Sequence, residues 1–436
     1  MDNTNDKFST TTATSIVVAN MVGTGVFTSL GFQLMDIDAA PIILFLWVVG
    51  GVLALCGALC YAELGSALPR SGGEYNYVGQ IYHPALGFIS GWISATIGFA
   101  APTALAAMTA GAYLQAVAPD LSQTLVAATL VGISTGVHLF SRRTSAGYQV
   151  LFTALKMILI VGFVLTAFLF APEMQVVRWA PQSTDLPVLG TGAVAVALIF
   201  VNYAYTGWNA ATYLAGELED PPNQLPRVLL VGTALVTLLY VVLHIMFLSV
   251  APMDAMRGEL EIGFIVAEYA FGETGTKWIS AMLGILLIST VSAMTLAGPR
   301  ALQVIGQDYP LLRFLSQTND HGVPQTAILF QGVLTLIMVL TATFESVLLF
   351  SGFALALNTV LAVAGVVVLR LRRPELPRPF RVPWYPLPVV IFLGIMIWTL
   401  VYVLLQQPLE AGFALALAAL GWLFYAVSRA RVQPDS

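Results

Sequence analysis

The run Ile16-Val17-Val18-Ala19-Asn20-Met21-Val22-Gly23-Thr24-Gly25-Val26-Phe27 places two glycines around a threonine in the middle of an apolar stretch. A glycine inside a helix costs roughly 1 kcal/mol relative to alanine, and here it comes twice, with a β-branched residue between. The surrounding stretch, 8–35, holds no Asp, Glu, Lys or Arg and exceeds the ~20 apolar residues that a membrane-spanning helix needs. A helix is therefore expected to cross a bilayer here and to break at mid-depth. Such irregular backbone is tolerated in the hydrocarbon region only where it is buried in protein or lines a cavity.

The rest of the chain agrees with a membrane setting. Its 436 residues are 58% hydrophobic and 9% charged, against roughly 45–50% and about 25% for soluble domains. That composition excludes a soluble globular enzyme, a disordered chain and a secreted disulfide scaffold. Ten further stretches are free of Asp, Glu, Lys and Arg: 39–62, 75–119, 121–141, 186–216, 228–253, 278–299, 321–344, 346–369, 382–409 and 411–428. Another, 144–172, carries the single charge Lys156. Twelve candidate spans result, and the run 75–119 has room for a reentrant or interfacial loop before its helix.

Loop charge sets the orientation. With the N-terminus inside, cytoplasmic segments hold Lys7, Arg70, Arg142, Arg143, Arg227, Arg300, Arg313, Arg370, Arg372, Arg373, Arg378, Arg381, Arg429 and Arg431; the opposite side holds Arg178, Arg257 and Lys277. A missed span would invert the later loops and spoil this asymmetry, so both termini are expected in the cytoplasm. The exterior segments 173–185 and 254–277 are acidic. No basic run with interleaved aromatics points to nucleic acid. Cys56 and Cys60, one turn apart, read as small packing residues, with no further ligand type nearby to complete a metal site.

Span 6 repeats the anomaly of span 1. It reads Phe200-Val201-Asn202-Tyr203-Ala204-Tyr205-Thr206-Gly207-Trp208-Asn209, one glycine among polar Asn202, Thr206 and Asn209. Either segment alone is as well explained by close helix packing, and Asn209 by an N-cap. As a pair they stand first in two possible five-helix halves, the pattern of inverted-repeat transporters with a site near the midplane. The expected layout is an all-α membrane protein of 12 helices. It comprises an N-tail 1–11, a first repeat 12–171, a second inverted repeat 186–369, a cytoplasmic connector 370–386, helices 11 and 12 over 387–428 and a C-tail 429–436. Unwinding is expected to free N–H groups at the start of each outer half-helix, which attract a carboxylate. It should also free C=O groups at the end of each inner half-helix, which accept from an ammonium. Such a pair suits the zwitterionic head of an α-amino acid.

Lys156 lies about midway along span 5, where a lysine costs about 2.5–3.5 kcal/mol on insertion scales. It should turn inward to carbonyls or hydroxyls, since no acid lies at comparable depth. Its ammonium either acts only as a strut or takes a place where a sodium ion would otherwise bridge two helices, with a role in gating or coupling. Glu63 at the end of span 2 reads as structural. His138 and His244 each read as bonded to a neighbouring helix, and Pro102 as a kink in span 3.

Several of these motifs resemble the amino acid–polyamine–organocation superfamily over nearly the whole chain. Gly23-Thr24-Gly25-Val26-Phe27 is similar to its G-S-G-I-F signature. Tyr61-Ala62-Glu63-Leu64-Gly65 with Pro69-Arg70-Ser71-Gly72-Gly73-Glu74-Tyr75 resembles its span 2 and following loop. Ala204-Tyr205-Thr206-Gly207-Trp208-Asn209 with Glu217-Leu218-Glu219-Asp220-Pro221 resembles span 6 of the L-type amino acid transporter branch. Leu376-Pro377-Arg378-Pro379-Phe380-Arg381-Val382-Pro383 is similar to the connector after span 10. The resemblance implies a five-plus-five inverted repeat, with substrate held at Val22, Gly23, Thr24 and Gly25 and at Tyr203, Ala204 and Tyr205; Gly207, Trp208 and Asn209 complete the candidate set. It implies an aromatic gate at Tyr203 and a sodium-site lysine at Lys156 near Ser289 or Ser292. Thr24 for serine, Tyr203 for phenylalanine and Pro299 in span 8 depart from the pattern.

The expected activity is sodium-independent transport of neutral amino acids by alternating access, as exchanger or proton symporter, in a plasma or bacterial inner membrane. No cofactor or metal is expected, and no motif for a single-span partner subunit is present. Rivals on the same fold are a carrier of another small amine or polyamine and a non-transporting sensor. An enzyme would want clustered acids or a His/Cys set within the spans, and the sequence has neither. A six-plus-six carrier would want a large cytoplasmic centre, where 215–227 is short and mostly acidic.

Overall fold

The computed structural model describes residues 7–140, 146–319 and 323–430. Arg142, Arg143, Arg431 and most of both tails lie outside them. The described residues are helical, with one isolated bridge, Phe8 to Leu218, and no strand. In chain order the helices are α1 Thr10–Met21, α2 Gly25–Gln33, α3 Ala40–Ala67, α4 Glu74–Ile81, α5 Pro84–Thr96, α6 Ala100–Val117, α7 Gln123–Phe140 and α8 Ala146–Phe170. They continue with α9 Gly192–Tyr205, α10 Pro221–Val250, α11 Met253–Met256, α12 Ile262–Asp308, α13 Gln325–Thr341, α14 Phe344–Arg372, α15 Leu387–Gln406 and α16 Pro408–Ala430. Among the described residues, nine helical segments are long and apolar enough to cross a membrane, α1 with α2 and α5 with α6 each counting as one. The other expected spans fall on α7, α13 and α9, which are shorter.

Packing follows composition. Leu155, Ile158 and Leu169 of α8 are exposed, whereas Ile160, Phe163 and Ala167 are buried. One face of this helix is thus left to lipid and the other meets protein. α3 lies along α10 and α6 along α12. These inner helices carry small residues at their contacts, as membrane helices do where no hydrophobic force drives them together. Gly51 meets Thr237 of α10 and Gly263 of α12 meets Tyr113 of α6 so closely that a Cβ would collide.

The run 75–119 divides into α4, α5 and α6. The expected kink at Pro102 is instead an interruption at Ile97–Phe99. Pro102 then sits in the first turn of α6, where its missing N–H breaks no helical bond. Cys56 and Cys60 are both buried in α3. α12 changes direction at Gly272, whose φ of 65° is left-handed.

Glu63 anchors the connector between α14 and α15. Its side chain is 1% exposed. It accepts from Arg370 Nε at 2.8 Å and NH2 at 2.5 Å and from the Val382 N–H at 2.7 Å, with Arg378 Nε at 3.6 Å. Arg370 is 24% exposed but Arg378 only 5%, and stranding a buried charge by removing its partner costs about 3–5 kcal/mol. Glu63→Ala should therefore lower the thermal unfolding temperature of detergent-solubilised protein by many degrees, more than Glu219→Ala at an exposed site. Equal melting of the two variants would refute the anchor. In the segment 173–185 the Arg178 guanidinium donates to Asp185 at 2.7 and 2.8 Å. These bonds hold the Asp185 carboxyl below its usual range, so the clasp keeps its strength at neutral pH and loosens only in acid.

Candidate functional site

Both expected breaks are present. α1 ends at Met21 and α2 begins at Gly25, with Val22 at φ −77° and ψ 86°. α9 ends at Tyr205, Thr206 is extended and Gly207 has φ 111°. Beyond this break, Ala210–Glu217 winds as a 3-10 helix rather than a second α-helical half.

The two breaks touch. A Cβ on Gly25 would lie 2.7 Å from the Ala204 Cα, and one on Gly207 would lie 2.6 Å from the Asn20 carbonyl carbon. Glycine at these positions lets the two backbones cross. Gly23 does something else, since the nearest atom to a Cβ there is the Met21 oxygen at 4.0 Å. The close-packing explanation therefore fits Gly25 and Gly207, while Gly23 leaves space.

That space is part of a cavity of about 540 Å³. Gly23, Thr24, Gly25, Tyr203, Ala204, Gly207, Trp208 and Asn209 line it. Val22 and Tyr205, expected beside them, do not. Val22 is turned toward α8, and Tyr205 is buried against Trp47 and Tyr240 at ring separations of 6.0 and 5.0 Å. From the breaks the cavity runs to Ser71, Gly72 and Tyr75 and to Arg300, Gln303 and Gln307 near the end of α12. At the other end of α2 the backbone is packed shut. The Gly258 N–H donates to the Gly31 carbonyl at 2.9 Å. Arg257 donates to the Leu34 carbonyl and to Asp38 at 2.5 Å.

The freed main-chain groups have specific partners. A half-helix that precedes a break presents carbonyls, and the half beyond it presents N–H groups. For span 1 this gives the arrangement anticipated from the sequence. For span 6 it reverses it, because α9, the half expected on the outside, precedes the break and offers carbonyls. Tyr240 of α10 stands between one carbonyl of each: its hydroxyl, with a single hydrogen to share, lies 2.6 Å from Met21 O and 3.0 Å from Ala204 O.

Lys156 is 7% exposed. Its Nζ donates to Val22 O at 3.0 Å and to Thr290 Oγ1 at 3.1 Å. It joins the first break to α12 as a bridging cation would, but the hydroxyl it meets belongs to Thr290. The expected Ser289 and Ser292 point elsewhere. Ser289 bonds its own helix at Leu286 O, and Ser292 faces His138 of α7 at 2.9 Å. At about 100° per residue, only one of these neighbouring positions on α12 can face α8. His138 thus bonds a neighbouring helix as expected. His244 does not, since its Nδ1 meets Tyr240 O in its own helix and its ring stacks on Trp47 at 3.7 Å.

Two groups escaped the sequence reading. Tyr240 is an unremarked phenol in an apolar span, and nothing in one sequence distinguishes it. Glu74 was visible only as a motif residue, although an acid at the head of a 45-residue uncharged run was a signal. It lines the cavity and is 2% exposed.

The chain matches the family model described as amino acid permease over residues 8–425. It belongs to the amino acid permease family. The match covers both breaks, Lys156 and Glu74. Among relatives of this family member, the large neutral amino acids transporter small subunit 2 of Mus musculus is 30% identical over 433 residues, covering 94% of this chain and 78% of the relative. The b(0,+)-type amino acid transporter 1 of Mus musculus is 26% identical, covering 94% and 85%. The Asc-type amino acid transporter 1 of Mus musculus is 28% identical, covering 94% and 78%. The superfamily and branch suggested by the motifs are thus those of the relatives.

Proposed function

We propose that this family member carries neutral amino acids across a membrane by alternating access, without sodium, as an exchanger or a proton-coupled symporter. The carrying observation is the meeting of two broken helices at the wall of one cavity, with α2 offering N–H groups and α9 carbonyls to a zwitterionic head. The remaining wall suits an uncharged side chain: Phe99, Trp208, Phe392 and Met396 contribute to it. Its volume falls in the ~300–1,000 Å³ range of small-molecule pockets. The relative named as a large neutral amino acids transporter small subunit supports the same reading.

Sodium independence rests on Lys156, whose ammonium fills the place between Val22 and Thr290. Twelve spans in a five-plus-five inverted repeat, 12–171 and 186–369, with both termini cytoplasmic in a plasma or bacterial inner membrane, complete the reading. In that orientation the cavity opens inward, and the Gly31–Gly258 contact is the outer closure. Tyr203, beside the span 6 break, acts as the aromatic gate. Reconstituted protein should take up radiolabelled neutral amino acids at the same rate when potassium replaces sodium. Uptake abolished by sodium removal would sink the sodium-independent reading, and no uptake or exchange of any amino acid would sink transport itself.

A further inference from the structure

Glu74 is the acidic side chain of the cavity wall among the described residues, and no lysine, arginine or histidine pairs with it. Its partners are neutral. Tyr61 Oη of α3 donates to Oε1 at 2.8 Å and Asn209 Nδ2 to Oε1 at 2.5 Å, while the Tyr213 hydroxyl donates to Oε2. Tyr213 has a second acceptor in reach, Ser94 Oγ of α5 at 3.2 Å, and Ser94 in turn accepts from Asn358 Nδ2 of α14 at 3.0 Å. The other titratable group facing it is Tyr77 of α4; Arg300 of α12 lines the same cavity. The phenols are neutral at physiological pH.

We propose that Glu74 takes up and releases the proton that drives transport, and that Tyr213 re-aims its hydroxyl from Glu74 to Ser94 when it does so. This rests on the transport function above and assigns its coupling group. The ionised carboxylate accepts from three donors, two at Oε1 and one at Oε2. When a proton passes from cavity water to Oε2, that oxygen becomes a donor. Tyr213 Oη then accepts it and turns its own hydrogen to Ser94 Oγ. Tyr61 and Asn209 go on donating to Oε1, now the carbonyl oxygen. The carboxyl keeps three hydrogen bonds in either state, so neither leaves a buried polar group unserved, the usual obstacle to titration inside a protein. Loss of the proton reverses each step. The change reaches the substrate side through Asn209, which stands two residues after Gly207, and it strengthens the Tyr213–Ser94 tie between the segment after the span 6 break and α5.

Liposomes carrying the full chain and a trapped pH dye test this, with a neutral amino acid that the protein exchanges as probe. At one proton per substrate, a gradient of one pH unit should give up to about tenfold accumulation, since one pH unit is worth 1.36 kcal/mol, and the dye should report protons moving with substrate. Glu74→Gln presents the donor and acceptor of the neutral carboxyl. It should exchange at equal pH within about threefold of wild type, yet neither accumulate substrate nor move protons. Ser94→Ala removes the alternative acceptor, so the neutral form is less favoured and the pH of half-maximal gradient-driven uptake should shift downward. Gradient-driven uptake that survives in Glu74→Gln overturns the proposal, as does wild-type exchange with no response to a gradient. Monodisperse Glu74→Gln that loses equal-pH exchange also overturns it, because the carboxylate would then be a binding group. Wild type that does not exchange at all refutes the transport function instead.

Discussion

Gly207→Ala should abolish transport and sharply destabilise the protein. Its φ of 111° is a conformation that L side chains rarely adopt, worth about 1–3 kcal/mol of strain. The added methyl would also press on backbone, with Asn20 C at 2.6 Å, Asn20 O at 2.7 Å and Met21 N at 2.9 Å. No side chain can swing away, so the two breaks must part, and overpacking of this kind costs about 1–3 kcal/mol more. Gly23→Ala is the control, because a methyl there meets nothing nearer than 4.0 Å. Thermal melting and uptake measured on both should show a large loss of stability for Gly207→Ala and near wild-type melting for Gly23→Ala. Similar melting for the two would remove the crossing of the breaks as a constraint on the fold.

Lys156→Ala should leave folding nearly intact and cut transport by a factor of about ten to a hundred. Two effects oppose each other in stability. Losing a charge-assisted hydrogen bond costs about 1.5–3 kcal/mol, while removing a lysine from mid-membrane relieves about 2.5–3.5 kcal/mol. Transport has no such offset, because the Val22 carbonyl loses the donor that holds the first break open in shape. Lys156→Arg should not rescue: its larger planar fork brings five N–H donors to a buried site where the ammonium meets two acceptors, Val22 O and Thr290 Oγ1. Initial rates of exchange in liposomes, normalised to reconstituted protein, decide this. Wild-type rates in both variants would reduce Lys156 to a strut.

The breaks were legible because glycine and polar residues in mid-span violate local helical preference, and such a violation shows in sequence. Lys156 stood out for the same reason, as a charge with no solvent nearby. Its partner was misplaced by one or two residues because the candidates Ser289 and Ser292 sit within one turn of α12 with Thr290 between them, and only the rotation of that helix about its axis selects Thr290. The 3-10 winding of Ala210–Glu217 had no signal, since its residues suit an α-helix as well. Glu74 was passed over because its significance is not local. It depends on Tyr61, Ser94, Asn209, Tyr213 and Asn358 converging from four other elements, which no spacing rule encodes. Tyr240 is the extreme case, a residue of ordinary type whose importance lies wholly in two distant carbonyls.

That tyrosine has a mechanical consequence. With a single hydroxyl lying between the main chain of the first span and that of the sixth, and with their glycines in backbone contact, the two points of flexure are pinned together like the halves of a scissor joint. Neither can swivel alone. In the alternating-access cycle proposed above, α1, α2, α9 and α10 would turn as one piece, together with α3, which lies along α10.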